Sequence, residues 1–118
     1  MTTTADLVAK AKSKIREITP LELSKQLGAV SIIDVREPEE YEAGHLPGAI
    51  NIPRGLLEFR IDAHPILCDR GCTIVMQCLS GGRSALATVV MQELGYKNVV
   101  NLAGGFAAWK AANLPIET

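Results

Sequence analysis

No stretch of this sequence is apolar for long enough to cross a bilayer, no run of lysine and arginine is long, and cysteine is scarce. The first absence excludes a membrane-spanning helix. The second, with a net charge of -1, makes nucleic acid a poor partner. Three cysteines are an odd number, and they point to a reducing compartment rather than a disulfide framework. The start, from Met1 to Asp6, has neither the charged region nor the apolar region of an export signal. Repeats and low-complexity linkers are also missing, so the expectation is a soluble cytoplasmic protein with no membrane partner. What is present is a hydrophobic fraction of 47% in 118 residues. That suffices for one domain burying roughly two-thirds of its unfolded surface.

The stretch from Thr73 to Leu94 has the shape of a reactive site between two regular elements. Thr73 to Gln77 is rich in β-branched residues and suits a strand buried on both faces. Cys78-Leu79-Ser80-Gly81-Gly82-Arg83 then breaks the pattern, with two glycines that open backbone angles closed to other residues. From Ser84 to Leu94 the chain is a good helix former, with Ser84, Thr88 and Gln92 as one polar stripe at spacing four and Gly95 as its stop. The spacing therefore predicts a thiol where loop amides, the positive end of a helix and the Arg83 guanidinium converge. A free thiol with a pKa of about 8.5 is only slightly ionised at neutral pH, so a nucleophilic cysteine needs neighbours of this kind. The same donors can hold a persulfide or the oxyanion of a small substrate. The competing reading is an inert core cysteine; the Gly-Gly-Arg sequel favours the reactive one.

In chain order, Thr4 is expected to cap a helix over residues 5–14, with Lys10, Lys12 and Lys14 as a solvated face. Residues 1–14 are then an N-terminal helical extension and 15–118 the domain proper. A short strand over residues 15–18 is followed by a helix with three agreeing start signals: Thr19 at the N-cap, Pro20 at the first turn and Glu22 three after the cap. It runs to Leu27. Ser31 to Arg36 is a central strand, with Asp34 and Arg36 as supporting residues toward its carboxyl end, where buried charges need partners. A helix over residues 38–43, a strand over 49–52, a helix over 55–62 and a strand over 98–102 complete the pattern. Strands alternating with helices predict an α/β fold of three layers, helices on both faces of a mainly parallel sheet of about five strands. Ligands gather at the carboxyl ends of such strands. Three turns meet there: the one after Arg36, the Cys78 loop, and Ala103-Gly104-Gly105.

His64, Cys68 and Cys72 sit at spacing four and four. A structural zinc site needs a fourth ligand and usually a pair-plus-pair pattern, so metal is disfavoured. Cys72 is a poor resolving thiol for Cys78, because a regular strand would hold them about 20 Å apart; that objection does not touch Cys68. His45 in its turn and Trp109 read as structural residues.

Three motifs carry a family resemblance over about residues 17–115. The stretch from Ile33 to Tyr41, continued by Gly44 to Pro53, resembles the N-terminal signature of the rhodanese family. Cys78 to Ser84 resembles its active loop, and Gly104 to Trp109 is similar to its ending. The resemblance implies a five-stranded sheet sandwiched by helices, a Cys78 that carries sulfur as a persulfide, and no metal or organic cofactor. It implies that Cys78 takes the outer sulfur of thiosulfate or a persulfide donor and passes it to cyanide, a thiol or a sulfur-accepting protein. The amides from Leu79, Ser80, Gly81, Gly82, Arg83 and Ser84 would hold the anion, with Arg83 orienting the loop or the leaving oxyanion. Many loops of the family carry a cation after the cysteine or before the arginine. Leu79 and Gly82 stand there in this chain, which makes the rim less positive and brings low-molecular-weight or protein persulfides forward as donors. Two other classes compete. Cysteine-dependent phosphatases and arsenate reductases use a thiolate and an arginine, but with one residue more between them and commonly a His where Gln77 stands. Non-catalytic interaction modules of the family generally lack the cysteine.

Overall fold

Capping chemistry decides where the helices of this chain begin. In the computed structural model, which covers residues 1–118, helix α1 spans Thr4–Lys12 and is opened by Thr3. The Thr3 hydroxyl accepts from the Asp6 N–H and the Asp6 carboxylate accepts from the Thr3 N–H, a reciprocal cap one residue earlier than the expected Thr4. Strand β1 (Glu17–Ile18) is short, and Thr19, Pro20 and Glu22 start α2 (Pro20–Ser24) as their order predicts. This helix stops well before Leu27. The Ser24 hydroxyl turns back on the Leu21 carbonyl at 2.6 Å, the competition with backbone bonding typical of serine.

Strand β2 (Ser31–Asp34) ends two residues before the expected Arg36, because the Asp34 carboxylate takes the Arg36 N–H at 3.0 Å and turns the chain. Helix α3 (Pro38–Ala43), strand β3 (Ile50–Asn51) and a 3₁₀ turn (Arg54–Leu56) lead into α4 (Leu57–Ile61). Leu57 and Ile61 of that helix are buried, whereas Phe59 is 80% exposed. Strand β4 (Ile74–Gln77), helix α5 (Gly82–Glu93), strand β5 (Val99–Leu102) and helix α6 (Gly105–Ala111) complete the chain.

The sheet runs in the order β1-β5-β4-β2-β3 and every pair in it is parallel. All five carboxyl ends therefore lie along one edge, and the loop after β4 sits at the middle of it. Side chains alternate across the sheet. Ile33, Ile74, Met76 and Val99 face α4 and α5, packing with Leu57, Ile61, Ala87 and Met91. Ile32, Val75 and Leu102 face the other layer with Leu23 of α2 and Trp109 of α6. Trp109 is fully buried as expected, and its Nε1–H donates to the Pro115 carbonyl at 2.7 Å. The tail is pinned there and again by the exchange of backbone bonds between His45 and Glu117 at 2.9 Å.

Candidate active site

Cys78 follows the last residue of β4 and its side chain belongs to the core face under α5. The chain then needs a sharp reversal to enter α5, and Gly81 makes it with φ at +100°, a region that penalises any residue with a Cβ. The reversal turns donors onto the sulfur. The Gly81 N–H lies 3.1 Å from Cys78 Sγ, the Ser84 N–H 3.4 Å and the Ser84 hydroxyl 3.3 Å. The first two residues of the polar stripe of α5 thus face inward, while Gln92 at its far end is exposed. Ser84 and Thr88 are both fully buried, and the Thr88 hydroxyl donates to the Ser84 carbonyl at 2.7 Å. Ser84 is spent on the sulfur rather than on capping, and α5 starts two residues earlier than expected.

The loop carbonyls point the other way. The Phe106 N–H donates to the Cys78 carbonyl at 2.8 Å and the Ala107 N–H to the Leu79 carbonyl at 2.9 Å, so the loop serves as the cap of α6. Gln77 Nε2 adds a second donor on the Cys78 carbonyl at 2.6 Å. No peptide in the chain is cis, and in a planar trans peptide the N–H opposes the C=O. The Leu79 and Ser80 N–H groups are therefore directed away from α6. Gly105 permits this close seat: with φ at +60°, a Cβ on it would lie 2.5 Å from the Cys78 oxygen and 2.7 Å from the Leu79 carbonyl carbon and oxygen.

Arg83 does not lie free beside the thiol. It forms a bidentate pair with Glu40 of α3, at 2.8 and 3.1 Å. The guanidinium hydrogen bond holds the Glu40 carboxyl down at about 2, against an ordinary 4.5. The same carboxylate raises Arg83, with a smaller contribution from Cys78. Asp34 and Arg36 form a buried pair at 2.8 Å, and Arg36 also donates to the Gly44 carbonyl at 2.7 Å and sits 4.4 Å over the Phe106 ring. They brace the turn after β2 against α6. His45 places Nδ1 on the Tyr41 carbonyl and stacks on the Tyr41 ring, and His64 Nδ1 accepts from the Ile66 and Leu67 amides of its own turn.

The three expected turns meet at the carboxyl edge, and Gly81, Ser84 and Cys78 come together. The thiol is more enclosed than an open mouth would make it. Cys78 is 1% exposed, whereas Leu79 is 44% exposed and Ser80 is on the surface. Two surface concavities of about 290 and 330 Å³ form elsewhere, one between α1 and α5, the other toward the amino ends of the strands. Glu40, Gln77 and Gly105 are contributors that sequence reasoning did not single out. Only Gly105 carried a sign, as half of a Gly-Gly turn.

A family model for the rhodanese-like domain matches residues 19–112. A sulfurtransferase of Allochromatium vinosum is 36% identical over 105 residues, covering 86% of this chain and 94% of that protein. A chloroplastic thiosulfate sulfurtransferase of Arabidopsis thaliana is 38% identical over 95 residues, covering 70% of this chain and 76% of its own. Other relatives are longer, and the chain spans 42% and 27% of two of them. Among solved structures, a Rhodopseudomonas palustris protein of unknown function, described as a possible tyrosine phosphatase, superposes with a TM-score of 0.91 at 35% identity, covering 99% and 96% of the two chains. A rhodanese-related protein of Thermoplasma volcanium gives 0.78 at 30% identity over 86% and 97%. The family match, the parallel sheet and relatives named as sulfurtransferases agree on a sulfurtransferase-type role, and the chain belongs to the rhodanese-like domain family.

Proposed function

We propose that the protein moves a sulfane sulfur from thiosulfate or a persulfide donor to a thiol or cyanide through a persulfide at Cys78. The observation that supports this most is the set of three donors on Cys78 Sγ, from the Gly81 amide and the Ser84 amide and hydroxyl. The thiolate attacks the outer sulfur of the donor. The donor's sulfur–sulfur bond breaks, and sulfite, or a thiolate, leaves with the bonding pair. The outer sulfur of the resulting persulfide is then attacked by the acceptor, and Cys78 leaves as the thiolate that began the cycle. No electron is gained or lost overall. The Leu79 and Ser80 amides, directed away from α6, are suited to the anionic sulfur that extends beyond Sγ.

Two features bear on the donor. Arg83 is neutralised by Glu40, and the exposed residue after the cysteine is Leu79, so the rim offers little free positive charge. Persulfide donors of low charge therefore fit better than dianionic thiosulfate. Burial of Cys78 requires the loop to part before a donor reaches Sγ, so the reaction is expected to be slower than thiol ionisation alone would make it.

The phosphatase reading suits this loop less well. Four residues separate Cys78 from Arg83, and Arg83 would have to leave Glu40 to bind a phosphoryl oxygen. Intact mass after incubation with thiosulfate, or with glutathione persulfide, tests the proposal. Gain of one sulfur atom, absent in Cys78→Ser, is expected. Turnover of an aryl phosphate with no sulfur gained from either donor would replace it with the phosphatase reading, and no reaction of either kind would leave an interaction module.

A further inference from the structure

The strand face that packs under α5 is built of Ile74, Met76 and Val99, and alternation along β5 adds Asn101 to it. Asn101 is fully buried. Its Nδ2 donates to the Glu17 carboxylate of β1 at 2.9 Å and to the Gly81 carbonyl at 3.2 Å, and its Oδ1 meets no protein partner. Both neighbours of Nδ2 are acceptors, so the network dictates which way the amide faces. A buried amide with one orphaned oxygen is a poor choice for packing alone.

What Asn101 holds is the residue that aims at the sulfur. The Gly81 carbonyl is gripped twice, by the Ala85 N–H at 3.0 Å and by Asn101, while the Gly81 N–H points at Cys78 Sγ from 3.1 Å. Glycine has the broadest choice of φ, so its N–H is only as well aimed as the peptide on its far side is fixed. Glu17 lies opposite Asn101 in the β1–β5 register and holds the amide from behind. We propose that Asn101, anchored by Glu17, is a positioning residue that aims the Gly81 N–H at Cys78 and thereby favours its thiolate. The proposal rests on Cys78 being the nucleophile of the function proposed above. Asn101 acts on the sulfur through Gly81, and Glu17 acts through Asn101. The charged groups nearest the loop, Arg83 with Glu40 and Asp34 with Arg36, are paired with each other and stay unchanged in the variants below.

The test is the rate of Cys78 alkylation by iodoacetamide against pH, resolved by peptide mass, beside persulfide formation from thiosulfate and glutathione persulfide. Asn101→Leu keeps the branched shape and removes the donors. It is expected to slow alkylation at neutral pH about tenfold and to move the pH midpoint upward, the loss of one aligned hydrogen bond to an anion. Glu17→Ala, a surface change, should move both in the same direction by about threefold, while Glu17→Gln, whose amide oxygen accepts as the carboxylate does, restores them. A merely structural role lowers the melting temperature and leaves the midpoint in place. An unmoved midpoint in folded Asn101→Leu overturns the proposal. If that variant does not fold, a Glu17→Ala midpoint equal to wild type does so instead. Glu17→Gln behaving like Glu17→Ala also overturns it, since charge rather than aim would then be responsible. Expected alkylation profiles with no persulfide from either donor would keep the positioning role and remove the sulfur-transfer reading.

Discussion

Adding one methyl group at Gly105 should unseat the cysteine loop from a distance. Gly105 has φ at +60°, where an alanine is disfavoured by about 1–2 kcal/mol. The new Cβ would lie 2.5–2.7 Å from the Cys78 oxygen and the Leu79 carbonyl, which are backbone atoms and cannot swing aside like the end of a side chain. Relief requires α6 to withdraw, and with it the two bonds from Phe106 and Ala107 to those carbonyls, each worth about 0.5–1.5 kcal/mol. The total is about 2–5 kcal/mol, a fall in melting temperature of about 10 °C or more for a domain of this size. Two controls separate the contributions. Gly28→Ala has φ at +86° and open space around the new Cβ, so it isolates the backbone penalty. Gly104→Ala meets Ala108 of its own helix and no loop atom, so it destabilises without touching Cys78. Thermal melts are to be read beside the rate of persulfide formation, which should fall about tenfold or more in Gly105→Ala alone, the equivalent of one mispositioned donor on an anion. A Gly105→Ala protein that melts with Gly28→Ala and reacts at the wild-type rate would refute the idea that α6 holds the loop in place.

Glu40 gives an acid-limb prediction. Its folded carboxyl titrates at about 2, below its ordinary 4.5, so the stability it contributes is present above about pH 5 and disappears as pH falls through 2. Glu40 and Arg83 are 33% and 39% exposed, and solvent screening limits that contribution to about 1 kcal/mol; the melting temperature of Glu40→Gln should decline less steeply than wild type between those values, and parallel slopes would contradict the pairing. Ser84→Ala removes a hydroxyl that donates to the sulfur, so Cys78 modification should slow about three- to tenfold with little loss of stability; unchanged kinetics would show that the hydroxyl is idle. Arg36→Met strands the buried Asp34 carboxylate and should destabilise by about 3–5 kcal/mol in urea melts, whereas a loss under about 1 kcal/mol would mean that Asp34 finds other partners. Trp109→Phe cannot reach the Pro115 carbonyl, so limited proteolysis should trim the tail after Asn113 faster; equal rates would place the anchor elsewhere.

Local chemistry was legible in the sequence where it acts over a few residues. Thr19, Pro20 and Glu22 announced a helix start, the β-branched run before Gln77 announced the middle strand, and Gly81 with Gly82 announced a turn that only glycine makes easily. Contacts over long separations were not. Nothing local says that Arg83 meets Glu40, 43 residues away, or that Asn101 meets Glu17, 84 away. Element lengths failed for a related reason. Helix α2 passes after Ser24 into shorter i→i−3 backbone bonds and an aspartate turn follows β2, and neither is a matter that propensity counts. The enclosure of Cys78 was equally hidden, since it depends on a packing layer formed by residues far along the chain.

The strand order has a consequence for how the protein comes into being. Strand β1 has no neighbour until β5 exists, and the carbonyls of the cysteine loop have no helix to cap until residues 106 and 107 have been made. During synthesis the N-terminal segment must wait, unpaired, for most of the chain to follow, and closing so long a loop slows folding. A ribosome-bound chain halted before β5 therefore carries the cysteine loop untethered, and its anchorage arrives late, with the last strand of the sheet and the helix that follows it.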